Sequence, residues 1–299
     1  MVNQPVMKKP GVAKGRRYIG SEIVFNVILT IFVLLCIIPM IHVVAQSMSG
    51  RNAVLSGKVT LWPVDLDFSA YTSVLNDPTM IRSMGFSIVL TLGYTVLAMV
   101  ATILLAYPLS RKYIPGRKWL MLLILIPMYF SGGTIPHYLW IKQMNLIDSP
   151  WALIWPCLTS TYNTIILRNF FKSVPNTLYE AASIDGSSYF RYFLQILLPL
   201  SMPSLATITL FYAVSYWNGY FHSLIFITDR TLHPIQAILR QILMSSEFNN
   251  LLYDDGTQNL PSEMLKCAMI VVTALPIICI YPFMQRFFVK GVMVGAVKG

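Results

Sequence analysis

Ile23-Val-Phe-Asn-Val-Ile-Leu-Thr-Ile-Phe-Val-Leu-Leu-Cys-Ile-Ile-Pro-Met-Ile-His-Val-Val44 runs for 22 residues without an acidic or basic side chain other than His42. About 20 apolar residues in a helix cross a hydrocarbon core of about 30 Å. Five basic residues precede the run, Lys8, Lys9, Lys14, Arg16 and Arg17, which is also how a signal peptide begins. The run is too long for the apolar region of a signal peptide, and no small-x-small cleavage site follows it cleanly. It reads as an uncleaved first membrane span.

The rest of the chain agrees with that reading. Of 299 residues, 56% are apolar and only 11% charged, with a mean hydropathy of +0.62. Soluble domains carry about 25% charged residues, so this chain cannot cover a water-facing surface, and disorder is excluded as well. Five further apolar stretches follow, at about 86–109, 119–141, 151–171, 196–227 and 265–288. The fold expected is all-α and polytopic, with six transmembrane helices. Pro127, Gly132, Gly133 and Pro136 interrupt the third stretch, and Pro199 and Pro203 the fifth. Irregular backbone at membrane depth survives only when packed in protein or lining a cavity, so both stretches are candidates for a pathway.

Charge sets the expected orientation. With the N-terminus inside, 15 of the 22 Lys and Arg residues fall on the inner side, and nine of the twelve acids fall outside. Both termini are then cytoplasmic. The chain divides into a basic N-terminal segment (1–22), a six-span domain (23–288) and a tail (289–299). The long outer loops, about 49–82 and 228–264, have Pro, aromatic and acidic residues enough for short helices. They serve either as a polar cap or as a docking surface for an external partner.

The net charge of +10 does not signal nucleic-acid binding, which needs Lys and Arg gathered on one solvated face. Here they sit in short clusters between apolar runs. Cys36, Cys157, Cys267 and Cys279 have no metal or redox spacing, and they read as small buried hydrophobes. His42, His137, His222 and His233 are far apart in sequence and read as interfacial or pore-facing rather than as ligands. There is no phosphate loop of the G-x-x-x-x-G-K-[ST] type, no H-E-x-x-H motif and no catalytic carboxylate pair. Nor is there a mid-span acid or Lys of the kind ion-coupled carriers use. The chain is expected to bind no metal or cofactor and to catalyse nothing; if it transports, another subunit supplies the energy.

One inner loop has a definite local grammar: Ser173-Val-Pro-Asn-Thr-Leu-Tyr-Glu-Ala-Ala-Ser-Ile-Asp-Gly-Ser-Ser-Tyr-Phe-Arg-Tyr-Phe193. Pro175 suits a first helical turn, with Ser173 as its cap. Glu180-Ala181-Ala182 continues a helix, and Asp185-Gly186 stops it, Gly supplying a left-handed conformation. Ser187 or Ser188 caps a second helix leading into the fifth span. Leu178, Ala181, Ala182 and Asp185 are spaced to share a face. The plain alternative is an ordinary amphipathic linker.

Glu180-Ala181-Ala182, three residues, Gly186, nine residues, then Ile196-Leu197-Leu198-Pro199 resembles the E-A-A-x3-G-x9-I-x-L-P signature of binding-protein-dependent ABC importer permeases. Leu198-Pro199-Leu200, Pro203 and Trp217-Asn218 look like the carbohydrate branch of that family. Leu61-Trp62-Pro63 with Tyr71, and the C-terminal Lys290-Gly291 to Ala296-Val297-Lys298-Gly299, are similar to its MalG-like second permease subunit, of the LplC/YtcP type. The resemblance covers essentially the whole chain. It implies the type I importer permease fold in a bacterial cell membrane. It also implies a complex with a second homologous permease, two ATPase subunits that hold ATP and Mg, and an extracytoplasmic solute-binding protein delivering a carbohydrate.

On the same resemblance Glu180, Ala181, Ala182, Asp185 and Gly186 belong to a coupling helix seated in the ATPase. Lys290, Gly295 and Lys298 belong to a tail that reaches between the ATPase subunits; the alternative is a frayed end. Span 5 is where that loop leads. Tyr212, Tyr216 and Asn218 fall roughly on one helical side, with Trp217 and Tyr220 beside them, and such rings suit sugars. They also suit the membrane interface as anchors. The rival readings are a permease for a non-sugar solute and a membrane scaffold without a path.

Overall fold

The computed structural model describes residues 19–111, 113–244 and 261–296, with side chains placed for 22–111, 113–244 and 261–282. Among them all regular structure is helical, apart from one isolated bridge between Ser49 and Leu66. The basic segment 1–18 and Lys298 lie outside the described residues.

Helix α1 (Ile19–Ser47) holds the first span and is exposed from Glu22 to Ile41. Its far end is tied down. Ser47 Oγ meets the Tyr71 hydroxyl at 2.6 Å, and Cys267 Sγ donates to Gln46 Oε1 at 3.2 Å. The loop after it carries α2 (Arg51–Leu55) and α3 (Ser69–Asn76). The second span is α4 (Pro78–Ser110), longer than the apolar stretch because Asp77 caps it from outside, accepting from Thr79 N and Met80 N, with Pro78 in the first turn.

Three of the six apolar stretches are not single helices. The third stretch is no single helix: α5 (Arg117–Tyr129) and α6 (Thr134–Gln143) meet at 115°. The break falls at Phe130, which is extended, and Gly133, whose φ of +87° suits a residue without Cβ. Pro127 stays inside α5. The fourth stretch divides into α7 (Pro150–Ile154), a tight turn over Trp155–Cys157, and α8 (Thr161–Ser173). Pro156 cannot donate a backbone hydrogen bond, and Ser160 restarts the helix by accepting from Asn163 N at 3.3 Å. The fifth stretch stops early. The segment Tyr189–Leu200, whose last turn is α11 (Leu198–Leu200), bends by 76° into α12 (Met202–Trp217), and 221–226 is a separate short helix. Among the described residues, three helices are thus long and apolar enough to cross a membrane unbroken, or up to five spans if each bent pair counts as one.

After α12 come α13 (Phe221–Phe226) and, in the second long loop, α14 (Ile235–Met244). The last helix, α15 (Ser262–Ala296), passes through Pro276 and Pro282 and continues beyond the expected end of its span. Two apolar clusters hold the bundle together. One joins α3, α4, α14 and α15 around Trp217; the other joins α4, α8, α12 and the 176–197 region around Tyr94, Phe171 and Tyr192. Asp148, at φ +58°, fastens the α6–α7 loop to the turn after α13 by accepting from the backbone of Thr228 and Asp229. On that turn the backbone hydrogen bond from Thr231 holds the Asp229 carboxyl below the usual carboxylate range.

Candidate functional site: a helical hairpin and a tyrosine-lined cavity

The E-A-A loop folds as a helical hairpin. Helix α9 (Asn176–Ile184) ends with Asp185 as its C-cap and Gly186 at φ +77°. Ser187 N donates to Ala182 O at 2.8 Å and Gly186 N to Ser183 O at 3.1 Å. This paired closure satisfies the last carbonyls of a helix and requires a left-handed residue between them. A Cβ at Gly186 would touch nothing within 4 Å, so the demand for glycine is purely conformational. Ser188 then caps α10 (Tyr189–Tyr192), accepting from Arg191 N. The start of the hairpin departs from expectation. Ser173 closes α8, its hydroxyl donating to Phe170 O, and Pro175 is the cap residue of α9, with helix beginning at Asn176.

The face assigned to this helix divides in two. Ala182 is buried with Phe171 and Tyr192, whereas Glu180, Ala181 and Asp185 are exposed. Ile184, not singled out in the sequence, is 86% exposed, and with Leu178 and Ala181 it forms an outward stripe.

A cavity of about 480 Å³ opens between α4, the α7–α8 break and the end of α12. Its wall is built on stacked tyrosines. Tyr94 of α4 and Tyr216 of α12 lie ring on ring, with centroids 3.8 Å apart and planes 12° apart. The Tyr94 hydroxyl donates to Cys157 O at 2.8 Å, a carbonyl freed by the helix break. The Tyr216 hydroxyl is buried without a hydrogen-bond partner among the described residues. Ser87, Thr91, Asn218, Tyr220 and His222 also line the space. Cys157 Sγ lies 3.3 Å from His222 Nδ1, and the His137 ring packs edge-on against His222 at 5.9 Å.

Of the residues read from span 5, Tyr216, Trp217, Asn218 and Tyr220 line the cavity and Tyr212 does not. Tyr212 is 2% exposed; its hydroxyl meets Thr102 Oγ1 at 2.6 Å and accepts from Ser160 N at 3.1 Å, tying three helices together. Trp217 shares its ring between the cavity and the core, its Nε1 donating to Thr273 O at 3.2 Å. Asn218 caps α12, its side chain donating back to Val214 O. Tyr220 is covered by the Arg240 guanidinium at 5.6 Å. Tyr94, Cys157 and His222 went unread as a group because they lie on three separate segments. The only local signal was Pro156, which marks the helix break beside the Cys157 carbonyl that Tyr94 reaches. Helix α15 contains Lys290 and Gly295, whose side-chain surroundings lie outside the described residues.

An all-helical bundle of apolar, broken spans around a tyrosine-lined cavity fits a transport permease. The chain belongs to the family of binding-protein-dependent transport system inner membrane components, which matches over residues 112–294. It is 41% identical over 273 residues to the Bacillus subtilis polygalacturonan/rhamnogalacturonan transport system permease YtcP, covering 91% of this chain and 96% of that protein. To LplC of the same organism it is 40% identical, covering 88% and 90%. Among solved structures, one from a bacterial ABC transporter involved in import of the acidic polysaccharide alginate superposes with a TM-score of 0.81 at 33% identity. That match covers 94% of this chain and all of the other.

Proposed function

We propose that the chain is one of two permease subunits of an ATP-driven importer that carries an oligosaccharide across a bacterial cell membrane. The cavity carries this reading. Its volume falls within the range of small-molecule sites, and the paired Tyr94 and Tyr216 rings with Asn218 and His222 offer stacking faces beside polar groups. The relatives named for polygalacturonan and alginate transport support a carbohydrate cargo. A second homologous permease, two ATPase subunits and an extracytoplasmic binding protein complete the assembly, with ATP and Mg held by the ATPases and none by this chain. The subunit itself is non-catalytic. Both termini face the cytoplasm, where α9 docks on one ATPase and the segment with Lys290, Gly295 and Lys298 reaches toward the nucleotide-sensing loops. Deletion of the last eight residues is expected to lower uptake while leaving membrane insertion intact; wild-type uptake by the truncated complex would remove the tail from this scheme.

The test is ATP hydrolysis by the reconstituted complex across a panel of solute-loaded binding proteins. Stimulation by oligosaccharide-loaded protein is the expected result. Stimulation by peptide-loaded protein alone would transfer the chain to a non-sugar importer, and none by any loaded protein would favour a scaffold.

A further inference from the structure

A guanidinium removed from water is costly unless something replaces its solvation. Arg111, immediately after α4, is only 9% exposed, and its Nε and Nη2 have no hydrogen-bond partner among the described residues. What faces it is aromatic. The guanidinium carbon lies 4.9 Å from the ring centroid of Tyr107, 5.3 Å from that of Tyr192 and 6.0 Å from that of Tyr179. Ring faces at that range attract a cation, and arginine more readily than lysine gives up its water to lie against them. The C-terminus of the 33-residue α4 adds the negative end of a helix dipole. Two further arginines hold carbonyls there, Arg168 Nε at Leu109 O (3.2 Å) and Arg117 Nη1 at Arg111 O (3.3 Å).

The three rings come from three different parts. Tyr107 belongs to α4, Tyr179 to the hairpin's first helix, and Tyr192 to the helix that leads toward α12. Tyr179 also packs edge-on against Tyr192 at 5.2 Å. Midway along α4 and at the far end of α12 sit Tyr94 and Tyr216, the stacked pair that walls the cavity. We propose that Arg111 is a positioning residue that locks α9, the end of α4 and α10 into one body, so that displacement of α9 reaches both cavity walls together. The inference rests on the reading of α9 as the ATPase-docking helix. A ring leaving the guanidinium would strand a charge without water, so the joint resists coming apart piecemeal.

The experiment measures solute imported per ATP hydrolysed by the reconstituted complex of both permeases, the ATPases and the loaded binding protein. Arg111→Met keeps length and removes charge; Arg111→Lys keeps a cation; Tyr179→Leu removes one ring from a half-exposed helix. Arg111→Met is expected to retain the ATPase yet move about tenfold less solute per ATP, with Arg111→Lys recovering most of the loss. The double variant Arg111→Met/Tyr179→Leu is expected to be no worse than Arg111→Met alone, as for residues acting as one unit. A mere fall in folded protein lowers both rates and leaves their ratio untouched. An unchanged ratio in Arg111→Met, or additive losses in the double variant, overturns the proposal. Should Arg111→Met fail to assemble, Tyr179→Leu decides: a lowered ratio supports the joint and a wild-type ratio overturns it. If the wild-type complex shows no stimulation by loaded binding protein, the importer reading falls, and this proposal with it.

Discussion

The hairpin at 176–192 and the cavity wall on α4 and α12 are built by opposite means. In the hairpin each turn is dictated within a few residues: Gly186 supplies the positive φ, Ser187 and Gly186 close the helix end, and Ser188 opens the next. In the wall, every decisive contact is between residues distant in sequence. Tyr94 stacks on Tyr216 and Trp217 reaches Thr273, while behind them Tyr212 reaches Thr102 and Ser160. Substitution therefore acts on a local backbone shape in the hairpin and on packing between distant segments in the wall.

The largest effect is expected from Gly186→Val. A left-handed conformation costs a residue with Cβ about 1–2 kcal/mol, and a β-branched one reopens the helix end. That corresponds to a loss of coupled complex of about 5–30-fold. Uptake and retention of the ATPase should fall together while the permease still inserts; normal uptake and retention would reduce the hairpin to a linker.

Tyr216→Ala and Asn218→Ala come next. Both are expected to lower uptake more than the amount of inserted permease, measured side by side. Equal uptake per inserted permease would make them packing residues and shift the solute site to the partner permease. Tyr212→Phe sharpens the same contrast from the packing side. It leaves Ser160 N and Thr102 Oγ1 without their buried partner, which costs about 1–3 kcal/mol. The melting temperature of the detergent-solubilised permease should fall while solute preference stays as in wild type, and altered preference would place Tyr212 at the path.

These two regions were unequally legible in the sequence. The hairpin was readable because helix formers, a left-handed stop and a serine cap act locally; its opening residues were misplaced, since Val174 and Pro175 allow the turn to begin one residue later, and its expected common face divides because Ala182 alone turns inward. The apolar stretches were readable as membrane segments, but their continuity was not. Hydropathy counts 151–171 as one span, whereas the backbone breaks where Pro156 and Ser160 end one helix and start another. Likewise Asn218 and Gly219 end α12 although apolar residues continue to Ile227. The cavity was half legible: its α12 side followed from Tyr216 to Tyr220, while Tyr94 and His222 needed the fold to bring them in.

The smallest effect is expected from Glu180→Ala. Glu180 is exposed, and an exposed ion pair with the ATPase contributes under about 1 kcal/mol. ATPase retention should fall less than about fivefold, short of the Gly186→Val loss. A loss as large as that of Gly186→Val would mean that charge, and not the shape of the turn, holds the partner.

The central claim, that the outward stripe of α9 is seated on the ATPase, is tested most directly at Ile184. A photo-crosslinker attached to Ile184→Cys in the assembled complex is predicted to join the permease to an ATPase subunit on illumination, while the same probe at the buried position Ala182→Cys gives far less product. Crosslinks to lipid alone, in a complex that still imports solute, would contradict the account.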